Sequence, residues 1–305
     1  MIEIGIDVGG TFTDVVLLDR AAGRLEVAKT ASTPKDQSIG ILNGLVRLAV
    51  DPRTISRFAH GSTVATNTVL ERKGAKVALL TTAGFRDLLE IGRTNRSKVY
   101  DMKLTKPAPL VARPLRFEVR QRRFVNGEPA VALDEGDVRA AVEACAAEGV
   151  EAIAICFLHS YLDAADEERA AAIAREAAPS IHVTTSSDVV REYKEYERFS
   201  TAALNAYVMP VMDRYLQRLE SRLSEAGYRE PIEMMKSSGG LMRASTARRY
   251  PVETLLSGPA AGVMGAIHVA ERSGFRNLIT YDMGGTSTDV ALIADGKVTR
   301  TAETR

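Results

Sequence analysis

A nine-residue segment near the start of the chain returns near its end. Residues 7–15, DVGGTFTDV, reappear 275 positions later as residues 282–290, DMGGTSTDV, with seven of the nine identical. Each copy follows an apolar run with strand character, residues 2–6 and 278–281, and leads into another, residues 15–18 and 290–293. The pattern predicts strand, Gly-Gly turn, strand, twice over. Glycine permits positive φ and lets backbone N–H groups come close to a ligand, while threonine adds hydroxyls, so each tip suits phosphate oxygens. Gly9, Gly10, Thr11 and Thr13 form this set in the first copy, and Gly284, Gly285, Thr286 and Thr288 in the second. Asp7 and Asp282 end the leading strands, where a carboxylate is placed to hold a hydrated Mg²⁺. One D-x-G-G-T alone is also ordinary hairpin chemistry. Two copies with the same Thr-x-Thr-Asp continuation point to two jaws around one polyphosphate.

Jaws so far apart in sequence need a chain long enough for two cores. With 305 residues, 45% hydrophobic and 26% charged, there is material for two ordinary domains. Forty Lys and Arg against 39 Asp and Glu leave no general field to attract nucleic acid or acidic membranes, so neither is an expected partner. Cys145 and Cys156 lie in apolar or Ala-rich stretches and read as small buried hydrophobes in a reducing compartment. No window reaches 18 uninterrupted apolar residues and no basic segment opens a leader, so a cytoplasmic protein is expected. The P-loop, G-x-G-x-x-G and G-x-S-x-G patterns are absent, which argues against P-loop ATPases, Rossmann dehydrogenases and α/β-hydrolases. His60, His159, His182 and His268 are scattered, without zinc-ligand spacing.

The paired tips resemble the phosphate-1 and phosphate-2 loops of the actin, sugar-kinase and heat-shock-chaperone ATPases, in which ATP lies between two RNase H-like halves. Residues 257–266, SGPAAGVMGA, resemble the small-residue connecting helix between those halves. The resemblance narrows further to the hydantoinase A / 5-oxoprolinase family. It is carried by residues 5–14, HGSTVATN at 60–67, ERKGA at 71–75, IGR at 91–93 with Asn95 and Arg96, FLHSY at 157–161, EYER at 195–198 with LNAY at 204–207, and SSGG at 237–240. It implies an α/β, RNase H-like (actin-like ATPase) fold, with a second RNase H-like half that is incomplete in this chain. ATP and Mg²⁺ are the implied cofactors.

Along the chain, strands near 2–6, 13–18 and 25–29 form an expected meander, followed by a helix over 36–49 introduced by Thr33 and Pro34. A helix over 64–73, a strand at 76–81 and a helical start near Gly84 continue an α/β sandwich. Residues 93–123, with Pro107, Pro109 and Pro114, read as a long surface excursion. A helix at 137–148, a buried strand at 152–158 and a helix at 164–178 give a further α/β unit. Residues 197–226 read as one long helix, kinked at Pro210, with a strand near 232–236 after it. The expected domains are 1–190, an RNase H-like domain carrying the α/β excursion at about 93–190, and 191–305, holding the long helix, the connecting helix and the opening of the second half. That half is expected to expose an unpaired edge after 290–293, as a fragment or a partnered chain would.

Amides resist water because resonance quenches the carbonyl, and phosphorylating the carbonyl oxygen turns it into a leaving group. In the mechanism the resemblance implies, Thr11, Thr13, Thr286 and Thr288 grip the β- and γ-phosphates while Asp7 and Asp282 hold Mg²⁺, so that positioning and charge neutralisation do most of the catalysis. Glu253 is the candidate general base. His60, Thr63 and Asn67 precede or open a helix that would meet an anionic intermediate, or else Thr63 caps that helix beside a satisfied histidine. Arg93, Asn95 and Arg96 would bind a substrate carboxylate or transferred phosphate, or else form a solvated basic loop. The main reading is an ATP-dependent hydrolase subunit acting on a hydantoin, 5-oxoproline or another lactam, with a hydantoinase B-type partner subunit in an oligomer. The alternatives are a ketone carboxylase subunit of the acetone or acetophenone type, a sugar or acyl kinase, and a truncated non-catalytic assembly subunit.

Overall fold

In the computed structural model, residues 1–33, 36–93, 100, 103, 106–283 and 288–298 are described. The chain divides into two compact units, and both are discontinuous. Unit 1 comprises 1–67, 215–247 and 253–305, and unit 2 comprises 68–214 and 248–252. The expected boundary at residue 190 is therefore not where the compact units part. A central piece of chain folds on itself, and the C-terminal third returns to the first unit.

Unit 1 begins with the expected meander: β1 (Ile2–Val8), β2 (Phe12–Asp19) and β3 (Arg24–Ala31), paired antiparallel in order. Apolar residues alternate along β1 and β2, so Ile4, Ile6, Val8, Val15 and Leu17 share one buried face. Helix α1 (Gln37–Arg47) covers that face. It starts at Asp36, whose carboxylate accepts from the Ser38 backbone N–H at 3.2 Å and is fixed from outside by Arg222 at 2.7 Å. Ile41, Gly44 and Leu45 are its buried residues toward the sheet. Gly44 is required for contact, because a Cβ there would run into the Val15 side chain.

The next strand, β4 (Ile55–Ser62), lies parallel beside β1, and β5 (Ile232–Met235) lies parallel beside β4, with β6 (Leu241–Arg243) antiparallel at the edge. The sheet order is β6-β5-β4-β1-β2-β3. This is an RNase H-like sheet, completed by a strand that arrives more than 150 residues after its neighbour. Helix α2 (Ser257–Arg272) follows, then β7 (Leu278–Met283), β8 (Thr288–Ala294) and β9 (Lys297–Val298) in a second antiparallel sheet. β9 pairs with Ile293 and Ala294, so the edge expected to be unpaired carries a short third strand. Gly262 and Gly265 of α2 have nothing within 4 Å of a built Cβ among the described residues, so no helix approaches closely there.

Unit 2 is a four-stranded parallel sheet in the order His182–Thr185, Ala152–Cys156, Val77–Thr82, Arg116–Val119. The two central strands are buried at every residue, as the inside of a parallel sheet requires. The fourth strand corrects the surface-excursion reading of 93–123. Arg116 is buried, its guanidinium donating to the Val111 carbonyl at 3.0 Å and to Glu90 at 2.9 Å. Polar residues of the FLHSY and EYER motifs are taken up inside this unit. Arg198 is fully buried and donates to the Phe157 carbonyl (2.9 Å) and Ser186 Oγ (3.1 Å), while buried Glu167 accepts from the Phe157 N–H at 2.7 Å. Both cysteines are free and buried, and burial pushes the Cys145 thiol up to about 12. The helix Glu195–Glu225 runs through Pro210 as one element, its residues divided between the two units at 214.

Candidate functional site

The β1–β2 tip is shaped by hydrogen bonds. Gly9 N–H donates to the Phe12 carbonyl at 3.0 Å, closing the turn, and Ser32, just past β3, clamps it from the side. The Ser32 hydroxyl donates to the Gly9 carbonyl at 2.8 Å and its N–H to the Thr11 carbonyl at 2.9 Å. Neither Gly9 nor Gly10 adopts positive φ, contrary to the expectation from turn chemistry. Their role is space: a Cβ on Gly9 would meet the Phe12 carbonyl at 3.3 Å, and one on Gly10 would have nothing within 4 Å among the described residues. Gly10 and Thr11 are exposed. Thr13 does not join them. Period-two alternation turns it to the α1 side, where it is fully buried and its hydroxyl lies 3.1 Å from Ser32 Oγ.

Asp7 and Asp14 face each other directly across β1 and β2, and Asp282 and Asp289 do the same across β7 and β8. Asp14 is paired with Lys29 at 2.7 Å, and that ammonium also sits 5.1 Å above the Phe12 ring. Among the described residues Asp7 has no such cation bonded to it. Partial enclosure by protein raises its pKa, and the charges of Asp14 and then Asp282 raise it further, against a smaller lowering by Lys29. Asp7 and Asp282, 275 residues apart in sequence, thus lie within electrostatic reach of one another. Gly61 and Gly258 border the same carboxylate: built Cβ atoms would stand 3.3 and 3.7 Å from Asp7 Oδ1. Gly258 belongs to the first turn of α2, which starts after Leu256, a non-glycine residue held at φ +56° with its N–H on Thr66 Oγ1 at 3.0 Å. Gly284, Gly285 and Thr286 lie outside the described residues, and Thr288 is exposed at the start of β8.

Hard carboxylate oxygens brought near one another suit a hydrated divalent cation, which needs only one or two protein ligands. Among the described residues no group of three or more His, Cys, Asp or Glu side chains could hold a metal ion. Asp7 and Asp282 would suit a hydrated Mg²⁺, which takes one or two protein carboxylates.

The other expected residues divide. Glu253, in the turn Pro251–Thr254, forms an ion pair with Lys236, and its carbonyl accepts from the Ser237 N–H (2.7 Å) and hydroxyl (3.0 Å). His60 is in the core of unit 1, 1% exposed, with Nε2 2.5 Å from the Tyr215 hydroxyl, and burial lowers its pKa to about 4. Thr63 donates to the Val8 carbonyl at 3.0 Å and receives the Asn67 side-chain amide at 3.2 Å, so it joins β1 to the start of the helix. Arg93 is in unit 2, bidentate on Glu197 at 2.7 and 2.5 Å, which holds that carboxyl below its usual range. Asn95 and Arg96 lie outside the described residues. Sequence reasoning missed Ser32, Tyr215 and Lys236. Of these only Lys236 left a signal, as a lone cation between a short strand and the SSGG turn.

The two sheets of unit 1, its meander-first topology and an Asp-Gly-Gly-Thr sequence repeated at both hairpins define an actin-like ATPase fold. Residues 3–178 match the hydantoinase/oxoprolinase N-terminal region and residues 198–305 match hydantoinase/oxoprolinase, so the chain belongs to the hydantoinase/oxoprolinase family. It is 37% identical to caprolactamase subunit alpha of Pseudomonas jessenii, over 97% of this chain and 44% of that one. It is 33% identical to 5-oxoprolinase of Saccharomyces cerevisiae, over 99% of this chain and 26% of that one. A nucleotide-free acetone carboxylase structure, from work on ATP-dependent acetone carboxylation, superposes with a TM-score of 0.86 at 30% identity over 98% of this chain and 44% of that one. The chain thus spans less than half the length of these relatives. No helix among the described residues is long and apolar enough to cross a membrane.

Proposed function

We propose that this chain carries the ATP-binding part of an enzyme that opens a cyclic amide, a hydantoin, 5-oxoproline or another lactam, by phosphorylating its carbonyl oxygen. The observation that carries the reading is the convergence of Asp7 and Asp282 from two copies of one hairpin, in a member of the hydantoinase/oxoprolinase family. The lactam oxygen attacks the γ-phosphorus and ADP leaves. Water then adds at the activated carbon, the ring nitrogen takes a proton as its bond to carbon breaks and leaves an acyl phosphate, and a second water hydrolyses the acyl phosphate to carboxylate and inorganic phosphate.

In this scheme the bare backbone at Gly9 and Gly10 and the Thr11 hydroxyl receive phosphate oxygens, with Thr286 and Thr288 as their counterparts. Asp7 and Asp282 hold Mg²⁺, which supplies charge neutralisation on the phosphates. Glu253 takes the proton from the attacking water. We assign His60, Thr63 and Asn67 to the framework under this site, and Arg93, with Asn95 and Arg96, to substrate contact. Caprolactamase subunit alpha is by its name one component of a larger enzyme, which supports a hydantoinase B-type partner for this chain in an oligomer. The similarity to acetone carboxylase favours a second reading, in which the same phosphorylation activates a ketone for carboxylation.

Phosphate release measured with 5-oxoproline, hydantoin, caprolactam and acetone plus bicarbonate, with and without the partner subunit, tests this. Release dependent on a lactam supports the first reading, and release dependent on ketone and bicarbonate the second. Phosphorylation of a sugar or acyl acceptor, or failure to bind nucleotide, overturns both.

A further inference from the structure

The HGSTVATN motif at 60–67 carries two threonines whose partners lie on the two chain segments that flank Asp7. The Thr63 hydroxyl donates to the carbonyl of Val8, the residue after Asp7 on β1, at 3.0 Å. Thr66, in the first turn of the short helix Val64–Leu70, accepts with Oγ1 from the N–H of Leu256 at 3.0 Å, two residues ahead of Gly258. Between these contacts Ser257, buried at the head of α2, donates its hydroxyl to the Ser62 carbonyl at 3.4 Å. One short run of chain, 62–66, thus ties the end of β1 to the head of α2.

Leu256 is the link under strain. It is not a glycine, yet φ +56° and ψ 26° put it in the left-handed region, where a Cβ crowds its own backbone. Its side chain is 49% exposed, so burial does little to hold it there, whereas the bond from its N–H to Thr66 fixes it directly. Its carbonyl accepts from the Ala260 N–H at 3.3 Å, so this residue opens the hydrogen bonding of α2 and sets the direction in which the helix starts. The first turn then brings Gly258 against Asp7, a built Cβ standing 3.7 Å from Oδ1, while Gly61 of β4 borders the same carboxylate at 3.3 Å. Backbone on two sides limits the rotation of the Asp7 carboxylate, which pre-sets it as a metal ligand.

We propose that Thr66 is a positioning residue for the Asp7 site: its hydroxyl holds Leu256 in the left-handed conformation and thereby keeps the head of α2 against the carboxylate that receives Mg²⁺. This rests on the nucleotide-binding reading above and adds to it a residue that acts through Leu256 and α2 on Asp7. The strain at Leu256 makes the dependence testable, because glycine adopts the left-handed conformation readily and so removes the need for the hydroxyl.

The test is calorimetric titration of the full chain, with its partner subunit where one is required, using ADP in Mg²⁺. Wild type, Thr66→Val, Thr66→Ser, Leu256→Gly and the double variant Thr66→Val/Leu256→Gly are compared, with circular dichroism as the check on folding. Hydrogen exchange of the nucleotide-free proteins over residues 253–262 reads the head of α2 directly. Thr66→Val is expected to weaken ADP binding about fivefold, the scale of one lost hydrogen bond, and to speed exchange in that segment. Thr66→Ser and Leu256→Gly stay within about twofold of wild type, and the double variant recovers most of the loss in both measurements. A folded Thr66→Val with wild-type affinity overturns the proposal whatever its exchange rates, as does lost affinity with unchanged exchange, or a double variant no better than Thr66→Val. Each of these leaves the nucleotide reading standing. Wild type that binds no ADP overturns both.

Discussion

At matched positions of the two hairpins the same kinds of residue meet opposite surroundings. Ile4, Ile6, Val8, Val15 and Leu17 are at most 5% exposed, whereas their counterparts Ile279, Tyr281, Met283, Val290 and Leu292 are 60–67% exposed. Thr13 is buried and Thr288 is open. The covered side is reversed as well, since Ile293 is 1% exposed under the face that α2 approaches while its counterpart Leu18 is only half-buried. Register, down to the facing aspartates, is the same in both copies. Local sequence therefore dictates the hairpin, and the helix that reaches it dictates which face becomes core.

The sharpest break of this comparison is a truncation made twice. Leu17→Ala should cost about 2–5 kcal/mol, whereas Leu292→Ala should stay within about 0.5 kcal/mol, read from urea denaturation of each variant. Equal losses would mean that the second hairpin is covered in solution. A second difference is electrical. β1 has buried His60 beside it on β4, and no strand flanks β7 on that side among the described residues. Burial sets the His60 pKa at about 4 against 6.5 for the free group, so between those values the unfolded chain binds a proton that the native state does not. Stability is full above pH 6.5 and falls as pH drops toward 4, by about 3 kcal/mol. Denaturation midpoints across that range should show the slope, and His60→Asn should flatten it. Gly44→Ala should destabilise unit 1 by about 1–3 kcal/mol, because the added methyl meets the Val15 side chain. Val290, the counterpart of Val15, is already 62% exposed, so crowding of this kind has no equivalent on the second hairpin.

The smallest effect concerns the aspartates themselves. Desolvation, and after it the neighbouring charges, raise the Asp7 pKa, so ionised Asp7 opposes folding, and stability falls as pH rises from the unfolded value through the native one. Asp7→Asn should then raise the melting temperature at pH 7, worth about 0.2–1 kcal/mol by the scale of facing like charges, while weakening Mg²⁺-dependent ADP binding. A variant that loses stability would show that Asp7 is held by favourable contacts instead.

Much of this was legible. The repeat exposed both hairpins and their facing carboxylates, and the apolar runs at 77–82 and 152–156 could be read as buried strands. β4 was not legible, although it is central, because Arg57, His60 and Gly61 interrupt its alternation and the hydroxyl that meets His60 comes from Tyr215, 155 residues later. The strand Arg116–Val119 hid among prolines for a similar reason, since its pairing with 77–82 is parallel and non-local. The burial of Thr13 could have been found, because it alternates with Asp14 and so cannot share its face. The compact units part at 67 and 214 rather than at 190 because β5 returns to β4, a pairing that no local pattern announces.

The ordinary backbone of Gly10 has a practical reach. It does not adopt positive φ, and among the described residues no atom lies within 4 Å of where a Cβ would stand. A methyl placed there leaves the polypeptide undisturbed and intrudes only on a visitor. Gly10→Ala is thus a clean occlusion probe, able to part what the tip does for a guest molecule from what it does for its own architecture.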